Sequence, residues 1–495
     1  MSKIIIQNGN MCELDLPLKF AQKLYNEFAI RHPNAFYLRT RQRGMQNWDG
    51  KIHYITKTGQ FKIGLLPKVY DMCIEMGIKP KVVDMRQPLP KVSKVVTNIG
   101  KYKLRPEQEK AVKAVINNKI GNTPFHIGVL DYTVNAGKTL IMSSLYLSYK
   151  KQLKTLLITN DSDWLNQARE EFKQYLPGED ITFVQGKVLN WSNFTIGMVQ
   201  SISRNMRFYQ KELSQIDMVL IDEADQGGSK QYQNVITRLF NTRIRIGLSG
   251  TIYMSKLAKD RVKNMNLECF FGKVLAEFKL KDSIKKGYST KTVVKMVPGK
   301  PWYGNWESDC ISYKEIYDDS ITNCYTAWLM AYNRLLWNLN QGRYPALVVC
   351  KHIAHCENLY KFFKKKLGDA YNIAYVHVNT PSKLRQQIMK DFREGKIDIL
   401  VSTTIIARGK NFPKLKYLLN AASMDSQEKS IQFLGRLVRT DKSKKKVYLD
   451  DLHYPGNYLD RHGKHRKQYY QRQELKVIRL DKLWKKHPNH SLIKS

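Results

Sequence analysis

The sequence is poor in acid. Against 83 lysines and arginines stand only 43 aspartates and glutamates, a formal net charge of +40 over 495 residues. A surplus of that size points to a polyanionic partner, and the phosphate backbone of nucleic acid is the commonest one. Long apolar runs are also missing. No stretch approaches the roughly 18 residues needed to cross a bilayer, and no lipid-anchor pattern competes, so a membrane is not the expected partner. The opening residues, MSKIIIQNGN, lack the apolar core of a signal peptide. The chain is therefore expected to stay where it is made, in the cytoplasm (of the host cell if the source is viral). The seven cysteines, Cys12, Cys73, Cys269, Cys310, Cys324, Cys350 and Cys356, form no CxxC pair. That argues against both a zinc site and a disulfide framework. Internal repeats and low-complexity tracts are absent as well.

What is there is enough for two or three domains, with 42% hydrophobic residues. Residues 1–95 read as a small mixed α+β unit, followed by a Pro- and Lys-rich linker, PLPKVSKVVTNIGKYK. From there short apolar runs alternate with helical segments: TLLIT (155–159), FTIGMV (194–199), MVLID (218–222) and RIGLSG (245–250). Such alternation argues a parallel sheet covered on both faces. It is interrupted by a long helical pattern over 313–340. It then resumes with ALVVC (346–350), YNIAYVHV (371–378), IDILVST (397–403) and KVYLDD (446–451). The expected architecture is α/β: an N-terminal unit (1–95), two tandem parallel-sheet domains of the RecA type (96–280 and 281–455) and a basic helical extension (456–495).

The chemistry starts at residues 132–139, YTVNAGKT, which fit GxxxxGK[ST] except at the first glycine, where Tyr132 stands. Such loops present backbone N–H groups and a helix N-terminus to phosphates, and lysine adds a point charge. Thr133, Val134, Asn135, Ala136 and Gly137 would form the cradle. Lys138 would reach the β- and γ-phosphates, and the Thr139 hydroxyl would bind Mg²⁺. A GKT triplet alone is weak, since about 0.3 are expected by chance in a chain this long. It gains force from MVLIDEAD, which sets Asp222 and Glu223 at the end of an apolar run 84 residues after Lys138. Ligands of open α/β sheets collect at such strand ends. Asp222 is the expected partner of Mg²⁺, and Glu223 the expected base or orienting group for the attacking water.

Further segments follow in order. LRPEQEKAV (104–112) carries Arg105 and Gln108, with Gln108 expected on an adenine edge. GLSGT (247–251) supplies Ser249 and Thr251 as coupling residues. QFLGRLVR (432–439) offers Gln432, Arg436 and Arg439. A charge-dispersed phosphoryl-transfer transition state calls for cationic fingers. If they come from the second domain, nucleotide binding would close a cleft and hydrolysis reopen it.

This ordered set resembles superfamily 2 helicases. Within that superfamily the chain is similar to the UvsW family of bacteriophage recombination helicases, near the XPB and RecG types. The likeness extends beyond the motor motifs to RTRQRGMQNWDGK (39–51), IGLLP (63–67), LITNDSDWLNQAREEF (157–172), GMVQSI (197–202), CKHIAH (350–355) and STTIIARGKNF (402–412). The last segment carries Gly409, expected near the nucleotide. The resemblance implies ATP-dependent unwinding and branch migration of forked and junction DNA, with ATP and Mg²⁺ and a small N-terminal DNA-binding unit. Recombination or replication proteins would be further partners. The chain departs from the family at Tyr132, at Asn160 and Asp161 where Pro-Thr is common, at Gly250 and at Arg408.

Phosphate grip in such motors comes from backbone N–H, hydroxyl and basic groups. Candidates are Asn160, Gln200, Ser201, Arg204, Lys351, Thr403 and Thr404, with Arg39, Arg41, Arg43 and Lys51 in the N-terminal unit. Trp48 would either stack on an unpaired base or anchor the core beside an Asp49-Gly50 turn. His352 and His355 read as structural. Three other functions compete: an ATP-switched annealing module, a restriction-type motor subunit, and an RNA helicase of the DEAD-box type. The last would have PTRELxxQ where this chain has NDSDWLNQ, and HRxGRxGR where it has QFLGRLVR.

Overall fold

The apolar runs at 155–159, 194–199, 218–222 and 346–350 are buried along their whole length, which only a strand covered on both faces permits. In the computed structural model they lie in two seven-stranded, wholly parallel sheets. The structure describes residues 2–41, 45–149, 152–188, 190–253, 258–299, 312–407 and 412–480. The chain divides into two units, 1–132 with 136–278, and 133–135 with 279–495.

In the first unit the strand order is Ile181–Val184, Phe194–Met198, Thr155–Thr159, Met218–Asp222, Ile244–Ser249, His126–Tyr132 and Val274–Phe278. The N-terminal region adds a four-stranded sheet, Gln60–Lys62, Met11–Asp15, Lys3–Ile6 and Lys81–Asp84, with helices Leu18–Glu27 and Leu66–Glu75. One continuous apolar cluster runs from Ile4 and Leu66 to Val129 and Phe271, so this region shares its core with the first parallel sheet. Polar contacts reinforce the join. The Asn10 amide donates to the Thr237 carbonyl (3.1 Å), and the Tyr54 hydroxyl to Asn266 Oδ1 (2.9 Å). The expected linker is docked too: Val96 N–H donates to Ser148 Oγ (3.0 Å), and Ser144 Oγ donates to the Val96 carbonyl (2.6 Å).

In the second unit the order is Ile373–Val376, Ile399–Thr403, Ala346–Cys350, Tyr417–Asn420, Lys446–His453, Lys291–Pro298 and Val477–Arg479. Two expectations change here. The helix over 313–340 is broken into Tyr313–Tyr317, a π turn at Asp318–Thr322, and Tyr325–Leu339. The described part of the basic segment after 455 is no separate extension: it supplies helix Asn457–Arg472 and the edge strand Val477–Arg479. Arg466, fully buried, donates to Asp451 (2.9 Å) and to the Met424 and Leu452 carbonyls, while Tyr470 and Asn420 also bond Asp451. A charge inside a core needs partners of this kind, and here they draw a Lys- and Arg-rich helix onto the sheet.

Candidate nucleotide site

Strand His126–Tyr132 delivers the chain to the phosphate loop, and helix Lys138–Ser148 leaves it. The missing first glycine is explained by direction. Tyr132 points into the core and its hydroxyl donates to the Glu107 carbonyl (2.7 Å). The left-handed positions are Asn135 (φ 63°) and Gly137 (φ 70°), residue types that tolerate that region. A Cβ on Gly137 would lie 2.3 Å from Gln108 Nε2, so glycine is required there. Gln108 is only 1% exposed. Its Nε2 donates to the Ala136 carbonyl (2.8 Å), and its Oε1 accepts from Arg105 N–H (2.8 Å). Gln108 thus braces the loop from below, with half-buried Arg105 at the head of the bracing helix. Val134 packs into the apolar core of the second unit, where Asn135 Nδ2 also donates to Ser289 Oγ (3.4 Å).

Every residue of strand Met218–Asp222 is buried, and Asp222 closes it. Lys138 Nζ lies 3.7 Å from Asp222 Oδ1. That oxygen is buried and accepts no hydrogen bond. Burial pushes the Asp222 carboxyl above the usual carboxylate range, and Lys138 pulls it part of the way back. A buried carboxylate oxygen with no donor, at the strand end that Lys138 reaches, suits a hard divalent cation with oxygen ligands. Glu223 follows in the left-handed region (φ 52°, ψ 50°). Such a conformation costs a non-glycine residue about 1–2 kcal/mol and is characteristic of functional sites.

The DEAD segment is wired to its surroundings. Ser249 Oγ donates to Asp225 Oδ1 (2.7 Å) and lies 3.1 Å from Thr251 Oγ1, so the Ser249–Thr251 pair joins the last acid of the motif through Ser249. Asp225 was not singled out by the sequence; its burial at the end of the apolar run was the available signal. Gln226, also missed, bonds both Glu223 and Asn160.

In the second unit helix Gln427–Leu437 is capped by Ser426 Oγ, which accepts from Lys429 N–H (3.3 Å). At its other end buried Lys444 donates to the Leu437 carbonyl (3.0 Å), and burial pulls this amine down to about 8. Gln432 and Arg436, four apart, share one helix face, opposite buried Phe433, Leu434 and Leu437. Gln432 Nε2 donates to Glu428 (3.3 Å). Arg439 follows the helix, and its carbonyl accepts from Thr290 Oγ1 (3.2 Å). Gly409 lies outside the described residues.

The nucleic-acid candidates divide. Arg39 and Arg41 stand exposed on helix Ala35–Arg41 and Lys51 is exposed at the start of strand Lys51–His53; Arg43 lies outside the described residues. The hairpin turn expected at Asp49-Gly50 is not formed, since strand Lys51–His53 pairs with Ala29–Arg31; there Asp49 Oδ1 instead accepts from Lys51 N–H (2.9 Å), with Gly50 at φ 77°. Trp48 is half-buried, with its indole N–H on the Lys51 carbonyl (2.9 Å). The exposed aromatics are instead Phe36 (79%) and Tyr37 (55%), with the Arg41 guanidinium 5.0 Å above the Tyr37 ring. Asn160 and Gln200 meet, through Gln200 Nε2 and the Asn160 carbonyl (3.3 Å). Ser201 Oγ is spent on Gly186 N–H (3.2 Å). Lys351, half-buried, is folded over the rings of Tyr313 (4.0 Å) and Tyr317 (4.8 Å), a cation–π arrangement. Thr403 is buried, and Thr404 Oγ1 accepts from Lys429 Nζ (3.2 Å). His352 and His355 both pack edge-on against Tyr317, as structural residues would.

Residues 101–254 match the family model described as "Type III restriction enzyme, res subunit", and residues 329–441 match "Helicase conserved C-terminal domain". The chain is 22% identical over 452 residues to the ATP-dependent DNA helicase UvsW of Enterobacteria phage T4, covering 82% of each. It is 22% identical over 385 residues to putative helicase 22 of a Sulfolobus islandicus filamentous virus, covering 71% of this chain and just under two thirds (64%) of that protein. Among solved structures it shares its fold with the ATP-dependent Type ISP restriction-modification enzyme LlaBIII bound to DNA, at a TM-score of 0.58 and 15% identity, over 83% of this chain and 34% of that one. Two motor models in tandem, one on each parallel sheet, together with a likeness to the phage helicase along most of both chains, make this protein a UvsW-like member of the superfamily 2 helicases.

Proposed function

We propose that this protein is an ATP-dependent DNA helicase or translocase that unwinds or branch-migrates forked and junction DNA during replication, recombination and repair. The observation that carries the motor reading is the meeting of Lys138 with the orphaned buried oxygen of Asp222, beside Glu223. In this reading the loop N–H groups and Lys138 bind the phosphates of ATP, and Glu223 takes the proton of the attacking water. Mg²⁺, held by Thr139 and Asp222, would neutralise charge building on the phosphate oxygens. Arg436 and Arg439 would reach the transferring phosphoryl group when the two units close on ATP, and their release after hydrolysis would reset the motor. Ser249, through Asp225, would tie that cycle to movement along the strand.

DNA is favoured as the track because the lengthwise relative is named as a DNA helicase. The excess of basic over acidic residues fits either nucleic acid. The deciding experiment measures ATPase stimulation by single-stranded, duplex, forked and four-way DNA and by the matching RNAs, over a range of salt. Forked or four-way DNA should stimulate most. Stimulation by RNA duplexes but not by forked DNA would overturn the substrate, and hydrolysis by none of them would overturn the motor.

A further inference from the structure

A line of three amide side chains joins Glu223 to the residues expected to grip the tracked strand. Gln226 Nε2 donates to Glu223 Oε2 (3.3 Å). Gln226 Oε1 accepts from Asn160 Nδ2. The Asn160 carbonyl accepts from Gln200 Nε2 (3.3 Å), and Gln200 Oε1 is buried without a hydrogen-bond partner. These residues follow the C-terminal ends of Phe194–Met198, Thr155–Thr159 and Met218–Asp222, three neighbouring strands of one sheet. The line therefore runs across the C-terminal ends of three adjacent strands, from Phe194–Met198 to Met218–Asp222, after which Glu223 stands.

Gln226 suits the middle of that line. A side-chain amide offers a donor and an acceptor at one end of a flexible stem, which neither a carboxylate nor an aliphatic chain does. Glu223 leaves the strand in a left-handed conformation, so where its carboxylate points depends on side-chain contacts as well as on the backbone. The bond from Gln226 occupies a carboxylate oxygen that a general base needs for the proton of water.

We propose that Gln226 is a positioning residue that reports nucleic-acid binding at Asn160 and Gln200 to Glu223. The inference rests on the proposed reading of the protein as a nucleic-acid-stimulated ATPase. Without a strand, the Gln226 amide holds Glu223 by one oxygen. A phosphate backbone engaging Asn160 and Gln200 competes for their amides, Gln226 re-pairs, and the Glu223 carboxylate is freed to face the water. Hydrolysis then runs in the ordinary way. The water oxygen bonds to the γ-phosphorus, its proton passes to Glu223, and the bond to the bridging oxygen breaks to leave ADP and phosphate.

The test uses the full chain and a forked oligonucleotide duplex, comparing Gln226→Leu, Gln226→Glu, Asn160→Ala and the Gln226→Leu/Asn160→Ala double variant. The readout is the ratio of kcat with the fork to kcat without it, alongside the KM for ATP and the fork affinity by anisotropy. Gln226→Leu should lower the ratio on the order of tenfold, with KM and affinity within about twofold, as expected for loss of a coupled pair. Gln226→Glu keeps the acceptor for Asn160 but not the donor to Glu223, and should lose the ratio equally. The double variant should be no worse than the worse single one. A ratio that survives Gln226→Leu, a fall of both rates in proportion, or additive losses in the double variant would each overturn the relay. The parent protein is the separate control on the underlying reading: ATP hydrolysis that no nucleic acid stimulates would end that reading and the relay with it.

Discussion

Arg245 and Asn10 lie 235 residues apart in the sequence and share a hydrogen bond of 2.7 Å, from the buried guanidinium to the amide oxygen. Arg245 also donates to the Gly9 carbonyl (2.6 Å) and the Phe270 carbonyl (3.1 Å). Burial pulls it down to about 9, so it still carries its charge at neutral pH. It sits on strand Ile244–Ser249, five residues ahead of Gly250 and on the strand that ends in the coupling motif. The N-terminal region is thereby fastened to the first motor sheet by both core and polar contacts. Arg245→Met would leave two carbonyls and an amide oxygen buried without their donor, at a cost of about 2–4 kcal/mol. The first unfolding transition in urea should move to lower concentration, and residues 85–97 should become easier to cut with protease. An unchanged first transition would refute the docking role.

Glu223→Gln removes the proton acceptor but leaves Lys138, Thr139 and the loop intact. ATP hydrolysis should fall at least about a hundredfold, the usual worth of a general base, while binding of a fluorescent ATP analogue stays within about threefold. Hydrolysis at the parent rate would show that another group takes the proton. Gly137→Ala is the structural counterpart. Its Cβ would meet Gln108 Nε2 at 2.3 Å in a left-handed conformation, so nucleotide binding itself should be lost.

The sheets, and the meeting of Lys138 with Asp222 at a strand end, could be read from the sequence because both obey local rules. A strand buried on two faces is a continuous apolar run, and the reactive residues stand at its carboxyl end, as Asp222 does after MVLI. What escaped was set by partners distant in sequence. The basic helix that carries Arg466 read as a separate extension because charge is usually outside, yet Asp451, Met424 and Leu452 receive the guanidinium in the core. The Ala136 carbonyl that takes up the Gln108 amide lies 28 residues further on, and no spacing in the sequence marks it. The two tyrosine faces against Lys351 likewise come from more than thirty residues upstream. The helical period ran through 313–340 without any break signal as strong as proline, so the π turn at Asp318–Thr322 left no mark in the pattern.

In the N-terminal unit the aromatic side chains best placed to meet unpaired bases are Phe36 and Tyr37, beside Arg39 and Arg41, since Trp48 is fixed in its turn. Under the proposed function, Phe36→Ala/Tyr37→Ala should weaken binding to forked DNA about tenfold, the scale of stacking on one or two bases. Blunt duplex binding should change little. Arg39→Ala/Arg41→Ala should instead weaken both substrates and flatten the salt dependence by about one to two phosphate contacts. Equal losses on fork and duplex from the aromatic variant would count against stacking.

Acid should destabilise the second unit through its histidines. His355, in contact with the Tyr317 hydroxyl, is held down to about 3, and His462, against the Tyr313 ring, to about 4, in both cases chiefly by burial. The ordinary value is 6.5, and both groups lie below it in the fold. As pH falls below about 6.5 the unfolded chain takes up these protons and the folded chain does not. Each histidine then withdraws up to about 1.4 kcal/mol of stability per pH unit until its folded value is reached. His352 and His453 are shifted in the same direction and add to the trend. The urea midpoint of the second unit should therefore drop between pH 7 and pH 5, and drop less in a His355→Gln/His462→Gln variant. If parent and variant lose the same stability over that interval, these two rings are not the groups that make the unit sensitive to acid.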